Sequence, residues 1–454
     1  MTTLAFVVGV LAVAVGIALS IALHEIGHLV PAKRFGLRVP QYMVGFGPTI
    51  WSRRRGETEY GVKAIPLGGY IRMIGMFPPR PGDPEGVLRA SSTGRFSQLV
   101  DEARAASLEE IRPGDEDRVF YKLSVPKKVV IMLGGPTMNL VIGTVLLTLL
   151  ITVHGLPTPQ PGAVVQSMNQ CVVPVTDAAT TTSCEGKPPT PALAAGLRPG
   201  DTILSIDGTP VENVQQVTET IRPAAGRPVD IVVERDGQRL TLTATPIRNL
   251  LPVLDSSGNP VLGPDGTPQT VEAGFLGVAT SQNSAWVAQP LSAVPAFLWQ
   301  GVSRTALALV DIPNRMVGVW NAAFGGAERE VDGPMSVVGV GRVAGEASSG
   351  RLESLTGGSV ADRFWFLVSL IATLNLFLFL FNLIPLLPLD GGHVAGALWE
   401  GTKRRVARLR GAPDPGYVDV AKALPIAYTV GLVLVGMSAL LIYADVVNPV
   451  NLGG

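Results

Sequence analysis

The sequence predicts a polytopic α-helical membrane protein: four transmembrane helices, a membrane-associated β-hairpin, and one extracytoplasmic α+β domain. Three observations predict it. Mean hydropathy is +0.34 with only 16% charged residues, too apolar for an ordinary soluble protein. Four stretches carry no charged side chain and are long enough for a hydrocarbon core of about 30 Å, which takes ~20 helical residues. Clusters of Lys and Arg follow the first span, precede the second and lie between the third and fourth, while the two terminal segments have none, a pattern the positive-inside rule reads as an orientation.

The first span covers about 4–23, within a segment 1–30. No basic residue precedes its apolar run and His24-Glu25 follows directly, so it is expected to stay rather than be removed as a signal peptide. Lys33, Arg34, Arg38 and Arg53-Arg54-Arg55 come after it. Lys122, Lys127 and Lys128 precede the second span at 129–153. Lys403, Arg404, Arg405, Arg408 and Arg410 lie between the third span (364–389) and the fourth (423–444). This places 31–126 and 394–422 in the cytoplasm, and both termini with 155–362 outside. Net charge is zero, so nothing points to nucleic acid.

In the first cytoplasmic region, 60–76 reads YGVKAIPLGGYIRMIGM, two short β segments around Pro66-Leu67-Gly68-Gly69. It is apolar and too short to cross as a helix. Two readings stay open: a re-entrant hairpin that satisfies its backbone internally, or a cytoplasmic hairpin with a greasy face. Residues 77–122 read as a charged loop.

Outside, PALAAGLRPGDTILSIDGTPVENVQQVTETI is followed by RPVDIVVERDGQRLTLTATP. This predicts a short helix at 191–196, a strand at 201–206, a helix at 214–221, and tight turns at Asp207-Gly208 and Asp236-Gly237. The ordered run A-x-x-A-G-L-x-x-G-D-x-I-x-x-I-D-G resembles a PDZ domain, over 161–248. Such domains bind extended peptides by strand addition. Cys171 and Cys184 lie near its start and suit a disulfide in an oxidising compartment. Two cysteines exclude a four-thiolate zinc site. Residues 250–285 read as linker and extra strands, and 286–313 as amphipathic, lying on the outer membrane surface.

The chemistry starts at His24-Glu25-Ile26-Gly27-His28. Residues four apart share a helix face, so both imidazoles can reach one metal ion. Neutral imidazole suits zinc, and Glu25 can take a proton from water there. His and Glu inside an apolar span are expensive and functional by default. A catalytic zinc site needs a third protein ligand. His154 falls at the opposite membrane face. Asn382-Leu-Ile-Pro385-Leu-Leu-Pro388-Leu389-Asp390-Gly391-Gly392-His393 falls at the same face as the motif. Asp390 is taken as the ligand, because a membrane carboxylate wants a cation. His393 is taken as a hydrogen-bond donor behind the ligands, with a ligand role left open. Asn139, in Gly134-Gly135-Pro136-Thr137-Met138-Asn139, either faces the same cavity or packs helices.

H-E-x-x-H, P-L-G-G-Y, G-G-P-x-x-N, one PDZ-like module and N-x-x-P-x-x-P-L-D-G-G-H occur in that order. Together they resemble the bacterial site-2 proteases of the regulator-of-sigma-E type, over nearly the whole chain. The single module is closer to actinobacterial members than to Gram-negative relatives with two. The resemblance implies zinc on His24, His28 and Asp390, with Glu25 as catalytic base. It implies cleavage of a single-span membrane protein, typically an anti-sigma factor already trimmed by an outer-side protease. Asn382 would hold the substrate's extended backbone, with Gly68 and Gly69 on the hairpin edge and Asn139 in the substrate cavity. Two other readings are a membrane-anchored zinc protease acting on soluble or misfolded proteins, and a non-catalytic PDZ scaffold.

Overall fold

A continuous apolar run makes the first helix, α1 (Thr2–Arg34), which ends on Lys33 and Arg34, where basic side chains suit the helix dipole. The computed structural model describes residues 2–79, 95–172, 184–253, 261–263 and 268–452. It divides into two compact units: Met1–His154 with Gln289–Gly454, and Gly155–Ala288.

After α1 come β1 (Gln41–Arg55) and β2 (Thr58–Arg72), an antiparallel pair. Both strands bend, and residues 41–44 pair with 59–62 on one side and 69–72 on the other. Two continuous strands thus form four rungs in the order 51–55, 58–62, 41–44, 69–72, which leaves 69–72 as a sheet edge. Gly45, Gly47 and Gly68 take positive φ in the bends, a conformation that costs glycine little. The Tyr42 hydroxyl donates to the Ala22 carbonyl (2.8 Å), tying the sheet to α1. The expected hairpin at 60–76 is therefore larger and differently folded. Its reversal is at Gly56-Glu57, and Pro66–Gly69 is a bend within β2. Arg53–Arg55 concealed the first strand, because on an outer rung their side chains simply stay in solvent.

The expected loop 77–122 contains α2 (Arg95–Glu109), whose buried Arg104 pairs with Asp101 and Asp419. Its 80–94 part lies outside the described residues. Then α3 (Val125–Leu149), with Pro126 in its first turn, runs into a π-helical turn, Leu150–His154.

The 155–288 unit contains β3 (Leu156–Met168), α4 (Pro191–Ala194), β4 (Thr202–Ile206), β5 (Thr209–Pro210) and α5 (Val214–Ile221). Next are β6 (Val229–Arg235), β7 (Gln238–Ala244), β8 (Ile247–Pro252), β9 (Thr270–Phe275) and β10 (Val278–Val287). The main sheet is antiparallel, in the order β10-β3-β4-β6-β7 with β5 on β4, while β8 and β9 pair separately. Ile203, Ile206, Val217, Ile221, Ile231 and Val233 form its core. Asp207-Gly208 and Asp236-Gly237 occupy the turns with positive φ. Cys171 and Cys184 are joined in a disulfide; residues 173–183 between them lie outside the described ones. The unit extends past the expected 161–248, because β10, in the region read as linker and extra strands, pairs along β3.

The chain then forms α6 (Val294–Val310), α7 (Ile312–Phe324), α8 (Val337–Ser349) and α9 (Glu353–Thr356). It ends with α10 (Val360–Asn382), α11 (Asp390–Leu409) and α12 (Leu424–Val447). Two expectations change here. The third span stops at Asn382 instead of reaching 389, and 394–422 is not a loop, since most of α11 falls in it. Among the described residues five helices are long and apolar enough to cross a membrane; the fifth, Leu291–Val310, is in the stretch read as amphipathic. Inside the bundle, the Asn375 amide on α10 donates to the Ser20 hydroxyl on α1 (2.9 Å). Lys128 on α3 pairs with Glu400 on α11 (2.9 Å), both buried.

In the 155–288 unit, buried Asp201 accepts from Arg235 Nε (2.7 Å) and Nη2 (2.8 Å) and from the Arg198 amide (2.8 Å). Burial pushes this carboxyl up, but Arg235 and the amide outweigh it and hold it below its ordinary value. A carboxyl lower in the folded than in the unfolded chain stabilises above the unfolded pKa, near ~4, and loses that contribution as pH falls through the folded value. Asp201→Asn should therefore speed amide exchange in β4 and β6 at pH 7, by about 3 kcal/mol of opening free energy. The gap between variant and wild type should close as pH drops below about 4.

Candidate metal centre

The helical repeat puts His24 and His28 on one face of α1, and their rings meet edge to face with centroids 4.8 Å apart. Their Nε2 atoms are 3.2 Å apart. Each lies 3.4 Å from Asp390 Oδ2. Asp390 reaches them because the chain turns sharply between α10 and α11. Leu383 to Leu389 make short-range backbone bonds instead of helix, and Asp390 opens α11, where the helix dipole favours an anion. Its neighbours have no room for side chains: a Cβ on Gly391 would strike the Leu383 and Ile384 carbonyls, and one on Gly392 would lie 2.6 Å from the Leu387 nitrogen.

These three donors converge as a group that could hold a metal ion. Zinc bonds of ~2.0–2.1 Å to nitrogen and oxygen set tetrahedral donor–donor edges of about 3.3–3.4 Å. The observed 3.2, 3.4 and 3.4 Å edges fit that value. Two imidazoles and a carboxylate are also the donor types zinc accepts, with a fourth position left open. The space is made by α3: a Cβ on Gly135 would run into His28 Nε2 and lie 2.6 Å from His24 Nε2. Gly27 and Gly134 let the two helices approach this closely, since a Cβ on either would collide with the other's carbonyl.

Around the donors, His28 Nδ1 is 2.7 Å from the Ile131 carbonyl. His24 Nδ1 is 3.1 Å from Asn139 Nδ2. Glu25 projects toward β2, where it faces the Ile71 backbone; a Cβ on Gly69 would lie 3.1 Å from its Cγ. The edge strand 69–72 thus runs beside the Glu25 carboxylate.

His24, His28 and Asp390 come together, with Glu25 and Gly69 beside them. Gly68 is at the adjoining bend, its would-be Cβ against the Phe46 ring. His393 is not in the donor group; it lines a neighbouring cavity with Phe120, Lys128 and Glu400. Asn382 is the last residue of α10 and half-buried. Of the two readings of Asn139, the structure places it packed against His24, 1% exposed. His154 lies with Asp362 and Trp365 at the far end of α3. Sequence reasoning missed Gly135 and the Ile131 carbonyl. The Gly134-Gly135 pair in a span was the available signal for the first, and a backbone acceptor leaves none.

The model of peptidase family M50 matches residues 12–414. The zinc metalloproteases Rip1 of Mycobacterium bovis and Mycobacterium tuberculosis are each 36% identical, over 98% of this chain and 99% of theirs. The metalloprotease MmpA of Caulobacter vibrioides is 26% identical, over 86% of this chain and 85% of its own.

Gly135 offers a test that leaves every donor in place. Gly135→Val should abolish stoichiometric zinc binding, measured by metal analysis after equilibration at about micromolar free zinc, because its side chain takes the space between the donors. Retained zinc would mean that the metal is held elsewhere.

Proposed function

This chain belongs to peptidase family M50 and is a zinc metalloprotease of the site-2 type; from that premise we propose that His24, His28 and Asp390 hold the zinc and that Glu25 is the catalytic base. The observation that carries the reading is the triangle of donors at tetrahedral spacing with a carboxylate next to it. Zinc bound there supplies a Lewis acid for the peptide carbonyl and lowers the pKa of water. Glu25 takes one proton of the attacking water and passes it to the leaving amide nitrogen, so that water and peptide become an amine and a carboxylic acid, which then loses its own proton to solvent.

The substrate we propose is a single-span membrane protein of the anti-sigma factor kind, cut after an outer-side protease has trimmed it. A transmembrane helix hides its peptide bonds in its own hydrogen-bond ladder, so cutting requires local unwinding and new partners for the freed amides. Among the described residues the edge strand 69–72 is paired on one side only, with 41–44, and it runs beside Glu25. It can take the unwound segment as a further strand, with Gly68 and Gly69 leaving room. Asn382 grips the peptide from the opposite side.

The protein is a multi-pass membrane protein. We further propose four crossings, the site toward the cytoplasm, and the 155–288 unit as an extracytoplasmic PDZ domain. The start of α10 supports the count: Asp362 and Trp365 lie against His154 at the end of α3, so the chain leaves and re-enters at one face. Leu291–Val310 then adds no net crossing. The strand-and-helix order of the 155–288 unit supports the domain.

Glu25→Gln should retain about one zinc per chain yet lower cleavage of a purified single-span substrate in detergent by about 10²–10⁴-fold. Undiminished cleavage would remove Glu25 from the chemistry. Asn382→Leu should cut about tenfold more slowly with zinc content unchanged, as loss of one substrate hydrogen bond predicts.

A further inference from the structure

Asn139 sits one helical turn beyond Gly135 on α3, facing α1, and its Nδ2 is 3.1 Å from His24 Nδ1. Its Oδ1 is buried without a hydrogen-bond partner among the described residues. This pairing conflicts with the donor triangle. His24 turns Nε2 toward His28 and Asp390, so Nε2 must offer its lone pair to the metal. A neutral imidazole with a bare Nε2 carries its proton on Nδ1 and donates from there. An amide nitrogen cannot accept that proton. The amide oxygen can, and the two ends of an asparagine side chain exchange by a half-turn of the amide.

We propose that Asn139 is a positioning residue for the zinc site: its Oδ1 accepts from His24 Nδ1–H and so fixes the tautomer that presents Nε2. The half-turn that puts Oδ1 at His24 also gives the orphaned oxygen a partner. The inference rests on the reading of His24 as a ligand. For the other imidazole the same task falls to the main chain, through the Ile131 carbonyl 2.7 Å from His28 Nδ1. Of the two imidazoles, His24 thus depends on a replaceable side chain for its orientation, and His28 on the main chain. Groups of this kind typically change metal affinity by about 10–100-fold when removed.

The test compares Asn139→Leu, which keeps the volume and loses the acceptor, with Asn139→Asp, which keeps the acceptor. Zinc affinity is measured by competition with a chelator on the full chain in detergent. The expected result is zinc bound about 10–100-fold more weakly by the Leu variant and nearly as wild type by the Asp variant. A Leu variant with wild-type affinity overturns the inference, and so does an Asp variant as weak as Leu. Tautomer detection on the zinc-loaded wild type, with ¹⁵N-labelled histidine, needs no variant: with four histidines in the chain, signals are few. His24, identified by its loss in His24→Ala, should show a protonated Nδ1, and a bare Nδ1 overturns the proposal. Wild-type protein that binds no zinc would remove the ligand reading itself, whereas zinc on the wild type with equal affinity in the Leu variant removes only the role of Asn139.

Discussion

The close approach of α1 and α3 is the constraint on which the rest of the site depends. Gly27 and Gly134 bring the two backbones to a separation that any side chain would prevent, and Gly135 opens the gap in front of both imidazoles. In an apolar solvent there is no hydrophobic force between helices, so association rests on packing and on polar contacts, and small residues allow both. The same approach delivers the Ile131 carbonyl to His28 and the Asn139 amide to His24. One steric feature thus creates both the cavity and its lining.

Polar groups elsewhere in the bundle follow the rule that a buried charge has a partner. Lys128 meets Glu400 across α3 and α11, and Arg329 meets Asp445, which also accepts from the Ser336 amide (2.6 Å). Each joins segments far apart in sequence. Breaking such a pair on one side leaves an uncompensated charge, which costs several kcal/mol even where the intact pair contributes little. They fix register more than they add stability.

How much of this could be read from the residues differed by element. Spans one, two and four were legible as uncharged runs, His24, Glu25 and His28 as costly polar residues at the end of the first, and Asp390 as a carboxylate just past the third. The short elements of the 155–288 unit were legible from Asp-Gly turns and alternation, down to α5. Long-range pairing was not. The strand 41–55 was hidden by its arginines, because a strand held by backbone bonds to a neighbour needs no apolar pattern of its own, and the extra strands read in 250–285 gave no sign that β10 returns to pair with β3. The apolar run to Leu389 set the expected end of the third span too late, but Pro385 and Pro388, which a helix interior does not accommodate, were the sign of a break in the stretch where α10 ends.

That break decides the position of Asp390. Had α10 continued, the carboxylate would sit on a helix side wall, at a depth and angle set by its own turn count. Instead, 383–389 satisfies its backbone through short turns, and a new helix starts with Asp390 as its first residue. Three contacts then fix that helix. Gly391 lies on the Leu383 and Ile384 carbonyls, Gly392 against the Leu386–Leu387 backbone, and Glu400 on Lys128. The first two hold the turn, and the third stops α11 from sliding along α3, since any shift would separate two buried charges. Because α3 also carries Gly135, Ile131 and Asn139, one helix sets the register of the carboxylate and of both imidazoles together. A donor triangle with edges of 3.2–3.4 Å is what such common referencing can maintain. Three independently placed segments would have to match one another to within a fraction of an ångström, whereas here each has only to match α3.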